Sequence, residues 1–277
     1  MAPQLSARSG EMNVEGCCSS GMAASASYQP KGFITEIGDI KVYTVAPVQV
    51  TDETSTLLLL PDGFGLATHN IILSDKFASH GWLVFLPDYY EGDPLPEALL
   101  GPKPTVVLGE CDRPSTANAP AVININAWLN KHNHSRVGIL LQQLVANLQA
   151  QRPAAILQGV GYCFGGKHVL RLAKQSLQAA VAFHPSYVEE EDCKDIKSPL
   201  YVGLAGDDEM VPATLHQDLI SWVQQSPSQL EFTIESYEGM LHGFAARPNT
   251  KDAAMKTEFE RAFDRTVNFL QKYQWGL

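Results

Sequence analysis

The sequence is poor in positive charge. Its 277 residues include 20 Lys and Arg against 30 Asp and Glu, which gives a formal net charge of -10. Because binding to nucleic-acid phosphates needs clustered basic side chains, and no such cluster is present, we expect no nucleic-acid partner. No run approaches the roughly 18 apolar residues of a membrane span, and the first ten residues, MAPQLSARSG, lack the apolar segment of a secretory signal. We therefore expect a cytoplasmic protein without a membrane span.

The sequence also lacks an even number of closely spaced cysteines, which is the signature of a secreted disulfide framework. The five cysteines are scattered along the chain: Cys17, Cys18, Cys111, Cys163 and Cys193. We expect free thiols. Residues 1–30, rich in Ser, Ala and Gly, are predicted to form a flexible N-terminal tail. We interpret Cys17 and Cys18 in this tail as reactive thiols without a dedicated function. A redox or lipid-attachment role is the weaker alternative.

Apolar runs typical of strands alternate with segments of helical length over residues 31–277, which predicts one α/β domain. Seven such runs lie near 41–47, 55–63, 82–90, 154–162, 179–185, 199–208 and 230–238. Continuous apolar runs are expected of strands covered on both faces, so we predict a mostly parallel, doubly wound sheet of about seven or eight strands flanked by helices. Residues 92–120, with six prolines, are predicted to be an irregular insertion near a pocket, and residues 251–274 a closing amphipathic helix.

The stretch GVGYCFGG, residues 159–166, places Cys163 between Gly161 and Gly165 at the end of a predicted strand and the start of a predicted helix. This spacing is typical of a nucleophile elbow, in which a strained turn lifts the nucleophile and a Cβ at either glycine would collide with neighbouring elements. The helix N-terminus beside the sulfur favours a thiolate. The alternative is a buried cysteine in a tight turn, which does not account for both glycines.

A nucleophile of this kind is followed in the chain by an acid and then by a histidine. Asp207 and Asp208 follow an apolar strand, and His242 lies in the loop after the last predicted strand. We favour Asp208 because the sequence DEMVP puts its carboxylate before a helix that Pro212 starts, whereas Asp207 could cap the strand end. Capping of that helix is the alternative role for Asp208.

Eight histidines compete for the role of base. Six fall on predicted helices or their ends and are expected at the surface: His69, His80, His132, His134, His168 and His216. His184 is the serious rival to His242 because it also ends a strand, but it precedes Asp208 and so breaks the expected order. We interpret His184 as a pocket-lining or structural residue.

Several short motifs together resemble the dienelactone hydrolase family, the branch of the α/β hydrolases that uses a cysteine nucleophile. They are GYCFGGK at 161–167, GDDEMVP at 206–212, HGF at 242–244, DGFG at 62–65 and PDYY at 87–90. The Cys17-Cys18-Ser-Ser-Gly segment is similar to fungal members. The resemblance covers residues 31–275 and implies a Cys163, His242 and Asp208 triad, with no metal and no cofactor.

The resemblance also implies an oxyanion hole formed by the backbone amides of Phe164 and Gly63. Asp62 takes the place of an acidic residue that helps to activate the cysteine, and substrate contacts are expected at Asp62, Tyr90, His184 and Arg247. Bacterial members that cleave carboxylate-bearing dienelactones have an arginine where this chain has Gly92. Arg247 is an alternative partner for a substrate carboxylate, or a solvated surface residue. The sequence therefore leaves open a neutral lactone or ester as the substrate.

The expected reaction is hydrolysis of a small-molecule lactone or carboxylic ester through an acyl-enzyme, with activated enol-lactones or thioesters suiting a thiolate better than amides. The alternative is a non-catalytic α/β-hydrolase scaffold that binds a small molecule or a partner.

Overall fold

A computed structural model describes residues 21, 24, 27–101, 103–116, 119–211, 213–225 and 230–274. The strands are β1 (Phe33–Ile37), β2 (Ile40–Val45), β3 (Thr56–Leu60), β4 (Leu83–Pro87), β5 (Val106–Gly109), β6 (Ala121–Asn124), β7 (Leu157–Tyr162), β8 (Ala180–Phe183), β9 (Leu200–Ala205) and β10 (Phe232–Tyr237). The helices are α1 (Thr68–Ala78), α2 (Ile125–Lys131), α3 (His134–Gln151), α4 (Phe164–Leu172), α5 (Glu190–Cys193), α6 (Ala213–Gln224) and α7 (Ala253–Gln271).

Eight of these strands form the main sheet in the order β1-β2-β4-β3-β7-β8-β9-β10. The pairs β1/β2 and β2/β4 are antiparallel, and every other neighbouring pair is parallel. The predicted mostly parallel sheet is therefore confirmed. In a parallel arrangement the carboxyl ends of β3, β7, β9 and β10 meet at one edge, where open α/β sheets bind ligands.

Helices cover both faces of the sheet, which explains why its strands are apolar on both sides. Successive residues of β3 point to opposite faces. Leu58 and Leu60 belong to the same buried cluster as residues of α3, α4 and α6. Leu57 and Leu59 belong to a second cluster, which includes residues of α1 and α7. The central strands are thus held between two separate layers of helix.

The sequence reading missed strand β1, which forms an antiparallel hairpin with β2 at the sheet edge. Its Phe33 and Ile34 are 64% and 57% exposed, so β1 lacks the apolar run by which the other strands of the main sheet were found. The insertion at 92–120 is less irregular than predicted, since it contains β5 and pairs through it with β6 in a small parallel sheet.

The predicted closing helix is present as α7, and it buries Phe263, Val267 and Leu270. Within the described ranges, no helix is both long and apolar enough to cross a membrane.

Most of the predicted tail, including Cys17 and Cys18, lies outside the described residues. Of the part that the structure describes, the Tyr28 hydroxyl donates to Asp75 Oδ2 at 2.7 Å. The backbone amide of Lys31 donates to the same oxygen at 2.9 Å. The chain is therefore held against helix α1 from about this point.

Candidate active site

Cys163 lies between β7 and α4 in a backbone conformation that non-glycine residues rarely adopt, with φ 53° and ψ -116°. Such strain persists only where surrounding structure enforces it, and it is characteristic of a nucleophile elbow. The flanking glycines allow the close packing of the turn. A Cβ at Gly161 would lie 2.3 Å from the carbonyl oxygen of Gly165, and a Cβ at Gly165 would lie 2.2 Å from that of Leu60.

Asp208 and His242 form a buried pair at the same edge of the sheet. Asp208 follows β9 and His242 follows β10, and His242 Nδ1 lies 2.8 Å from Asp208 Oδ2 and 3.0 Å from Oδ1. Asp208 Oδ1 also accepts hydrogen bonds from the backbone amides of Met210 at 2.9 Å and Val211 at 3.1 Å. The carboxylate is thereby fixed in place, whereas Asp207 is exposed. Pro212 lies outside the described residues.

The imidazole of His242 lies close enough to the sulfur of Cys163 for each group to shift the pKa of the other. Burial alone disfavours the thiolate, but the influence of His242 and Arg247 outweighs burial and lowers the pKa of Cys163. Burial likewise disfavours the imidazolium, yet Cys163 and Asp208 outweigh it and raise the pKa of His242 to about 9. The two shifts have opposite directions, so they favour a thiolate–imidazolium pair at neutral pH.

Ser186 is a further contact of the sulfur that the sequence reading did not single out. Its hydroxyl oxygen lies 3.5 Å from Cys163 Sγ, and its backbone amide donates to the carbonyl oxygen of Cys163. Ser186 is fully buried. It follows β8, the strand next to the elbow strand, and its hydroxyl is placed to stabilise a negative sulfur.

Asp62 is the centre of a second buried group of polar side chains. Its carboxylate lies 2.6 Å from Arg247 Nη1, 2.9 Å from Asn70 Nδ2 and 3.1 Å from His69 Nε2. The Phe64 amide donates to it as well, at 3.2 Å. Burial opposes the charge on Asp62, but the neighbouring His69 and Arg247 outweigh burial and keep the pKa of the carboxyl well below its usual range. Asp62 is therefore a firmly bound carboxylate.

A pocket lies directly over Cys163. Its empty space is about 390 Å³, including the part open to solvent. The lining residues are Gly63, Phe64, Leu95, Leu108, Ile125, Trp128, Leu129, Cys163, Phe164, Tyr187, Met210 and Arg247. Both residues of the predicted oxyanion hole are therefore at the pocket. Phe164 begins helix α4, so its amide has no partner within the helix.

The four predicted substrate contacts are placed differently from one another. Arg247 lines the pocket and is 1% exposed, so its interpretation as a solvated surface residue is wrong. Asp62 and Tyr90 are fully buried behind the lining residues, where the Tyr90 hydroxyl donates to the carbonyl oxygen of Asp62 at 3.2 Å. They are placed to position other groups.

His184 is fully buried behind His242, with the two ring centroids 4.8 Å apart. Neither of its ring nitrogens has a hydrogen-bond partner among the described residues, and burial holds its pKa well below the usual value. The structure therefore brings His242, and not His184, into hydrogen-bond contact with the acid.

The expected surface position of the remaining histidines is wrong for four of the six. His69, His132, His168 and His216 are buried. His69 contacts Asp62 and His132 contacts Asp93, and these carboxylates compensate the burial of a polar ring. In the part of the chain that the structure describes, no group of three His, Cys, Asp or Glu side chains is placed to hold a metal ion.

The lowered pKa of Cys163 predicts an unusual pH dependence of alkylation by iodoacetamide. An ordinary thiol loses about 20-fold in rate between pH 8 and pH 6.5, because its thiolate fraction falls. We expect a smaller loss at Cys163, since His242 lowers the pKa of its thiol. Peptide mass spectrometry after timed labelling measures the rate at each cysteine.

Cys193 serves as the internal control for this experiment. Burial and the nearby Asp192 raise the pKa of Cys193 to about 12, so it is expected to stay unlabelled over the same interval. A 20-fold fall at Cys163 would contradict the thiolate–imidazolium pair.

The sheet topology and the elbow define the protein as an α/β hydrolase. The family model described as "Dienelactone hydrolase family" matches residues 40–274. The chain belongs to the dienelactone hydrolase family, and its relatives in this family are hydrolases and esterases.

Two curated relatives illustrate the range of the family. "Hydrolase pyvD" from Aspergillus violaceofuscus is 27% identical over 259 residues, which cover 93% of this chain and 96% of the relative. "Carboxymethylenebutenolidase homolog" from Mus musculus is 23% identical over 265 residues, which cover 92% and 97%. These similarities extend over nearly the whole of each protein, and not over a shared fragment.

A solved structure supports the fold independently. The putative dienelactone hydrolase from Klebsiella pneumoniae superposes with a TM-score of 0.67 at 16% sequence identity. The match covers 87% of this chain and 98% of that one.

Proposed function

We propose that the protein hydrolyses a lactone or carboxylic ester through an acyl-enzyme on Cys163. One observation carries the proposal: the elbow cysteine lines a pocket beside His242, whose Nδ1 is held by Asp208 at 2.8 Å. A nucleophile, a base and an orienting carboxylate gathered in one place are the set that acyl transfer requires.

The first half of the reaction forms the acyl-enzyme. The Cys163 thiolate attacks the carbonyl carbon, and the carbonyl electron pair moves to the oxygen, which the backbone amides of Phe164 and Gly63 are placed to stabilise. The intermediate collapses by breaking the bond to the leaving oxygen, which takes the proton of the His242 imidazolium. Asp208 keeps Nδ1 protonated, so that Nε2 faces the reacting atoms.

The second half releases the product. Neutral His242 takes a proton from water as the water oxygen attacks the thioester carbon, and collapse of this intermediate breaks the bond to sulfur. The products are a carboxylic acid and the thiolate–imidazolium pair. For a lactone, the acid and the alcohol remain in one molecule, a hydroxy acid.

Detection of the acyl-enzyme tests the proposal. The protein is mixed with p-nitrophenyl acetate, quenched in acid within the first turnover, digested and analysed by mass spectrometry. We expect one acetyl group on the peptide containing Cys163, together with a burst of p-nitrophenol. Absence of both, with the protein folded, would instead support the alternative of a non-catalytic scaffold.

The state of the cysteines supports a location in the cytoplasm. Cys111, Cys163 and Cys193 are thiols and not disulfides, which fits a reducing compartment. The proposed reaction also needs Cys163 in its reduced form.

A further inference from the structure

One wall of the pocket is apolar. It is formed by Leu95, Leu108, Ile125, Trp128 and Leu129, all of which lie between β4 and α3. The indole nitrogen of Trp128 donates to the backbone oxygen of Asp93 at 3.0 Å, so its hydrogen-bonding capacity is already used. Binding an apolar group against this wall removes apolar surface from water and so lowers the free energy of the complex. A polar group would find no hydrogen-bond partner there.

The charged side chains around Cys163 are already paired with one another. Asp208 and Asp62 are the negative ones, and His242 and Arg247 are the positive ones. Each cation is already bound to an anion, since Arg247 Nη1 lies 2.6 Å from Asp62 Oδ2 and His242 Nδ1 lies 2.8 Å from Asp208 Oδ2. A substrate carboxylate would add a further negative charge to a buried site, which is costly in a medium of low dielectric constant.

Arg247 is the only cationic side chain among the described residues that line the pocket, and its position is tightly fixed. Its guanidinium carbon lies 5.1 Å from the centre of the Phe64 ring. On another side it packs on Gly243, where a Cβ would come within 2.5 Å of the same carbon. Movement of Arg247 toward a substrate carboxylate would leave Asp62 with an unpaired buried charge, at a further cost.

We infer that the substrate is a neutral ester or lactone that carries an apolar, ring-sized group against the Trp128 wall, and that the site discriminates against substrates with a carboxylate on this group. The inference rests on the proposed function, since it concerns the substrate class of the same site. It assigns Trp128 and Ile125 to specificity, and it assigns Arg247 to holding Asp62 in place and not to binding an anionic substrate.

Three p-nitrophenyl esters with one leaving group test the inference: the acetate, the phenylacetate and the 4-carboxyphenylacetate. Each kcat/KM is divided by the rate of hydroxide-catalysed hydrolysis of the same ester, so that only the contribution of the protein is compared. We expect the phenylacetate to exceed the acetate by at least tenfold, because its ring is buried against the wall. The carboxylated ester is expected to fall at least tenfold below the phenylacetate.

Two variants relate this preference to the wall. Trp128→Ala removes the ring contact and is expected to lower the ratio of phenylacetate to acetate at least fivefold. Ile125→Trp fills the same space and is expected to lower the ratio as well, so the test does not depend on either variant alone. Ile139→Ala, at an exposed position of α3, is the matched control and is expected to leave the ratio unchanged.

The outcomes distinguish failure of the inference from failure of the proposed function. Acetylation of Cys163 by the acetate, combined with equal or better use of the carboxylated ester, would overturn the inference and leave the proposed function intact. A ratio of phenylacetate to acetate that neither wall variant changes would do the same. If no ester acylates Cys163, the proposed function fails and the inference fails with it.

Discussion

Replacing Cys163 with alanine is expected to lower kcat/KM for a neutral p-nitrophenyl ester by about 10⁴-fold or more, the scale on which the loss of a catalytic nucleophile acts. The sulfur is the only atom of this side chain that can form the acyl-enzyme, and alanine cannot replace it. The backbone of the elbow is held by its neighbours, because the Cys163 amide donates to Phe183 and its carbonyl accepts from Ser186. The fold is therefore expected to remain.

Initial rates of p-nitrophenol release measure this effect, and circular dichroism with thermal unfolding checks the fold. Cys111→Ala is the matched control, since Cys111 is an exposed thiol, and it is expected to keep full activity. Retention of more than a tenth of the activity in folded Cys163→Ala would place the hydrolysis elsewhere in the protein.

Asparagine in place of Asp208 is expected to lower kcat by about 10⁴-fold, the loss seen when an amide replaces the orienting carboxylate of a triad. Asp208 accepts from His242 Nδ1 and from the backbone amides of Met210 and Val211. An amide keeps one acceptor oxygen, so it cannot supply all three interactions. It also removes the negative charge that helps to raise the pKa of His242.

The neighbouring residue provides the control for Asp208. Asp207 is exposed, so Asp207→Asn is expected to change kcat by less than about twofold, as is usual for surface substitutions. Alkylation of Cys163 at pH 6.5 is also expected to be slower in the Asp208→Asn variant. Loss of the Asp208 charge lowers the pKa of His242, so less imidazolium is present to stabilise the thiolate. Equal losses of kcat in the two variants would show that Asp208 has no special role.

The elbow was predictable because its signal is local. Gly161 and Gly165 flank Cys163 where backbone segments approach within distances that no side chain tolerates, and this requirement is visible in a stretch of five residues. Asp208 and His242 were found in a different way, from their order along the chain and their positions after apolar strands. Strand ends in a parallel sheet meet at one edge, so a one-dimensional order was enough to bring them together.

The buried histidines were not predictable by the same means. His132 is buried against Asp93, which lies 39 residues earlier, and no helical pattern reveals such a partner. The contact of His69 with Asp62 could have been predicted from the sequence. His69 follows Asp62 by seven residues and lies in the first turn of the helix after β3. The lining residues Leu95 and Leu108 lie in a proline-rich segment whose path depends on packing against the rest of the domain, so their convergence with Trp128 required coordinates.

The small sheet of β5 and β6 has a consequence for how such a hydrolase can diversify. The reacting groups follow strands of the large sheet. The apolar wall belongs to a separate segment, which takes no part in the bonds that form and break. Selection can therefore remodel the selectivity of the protein by changes between β4 and α3 while the chemistry is inherited intact. A library of substitutions confined to that segment is the shortest experimental route to new substrates.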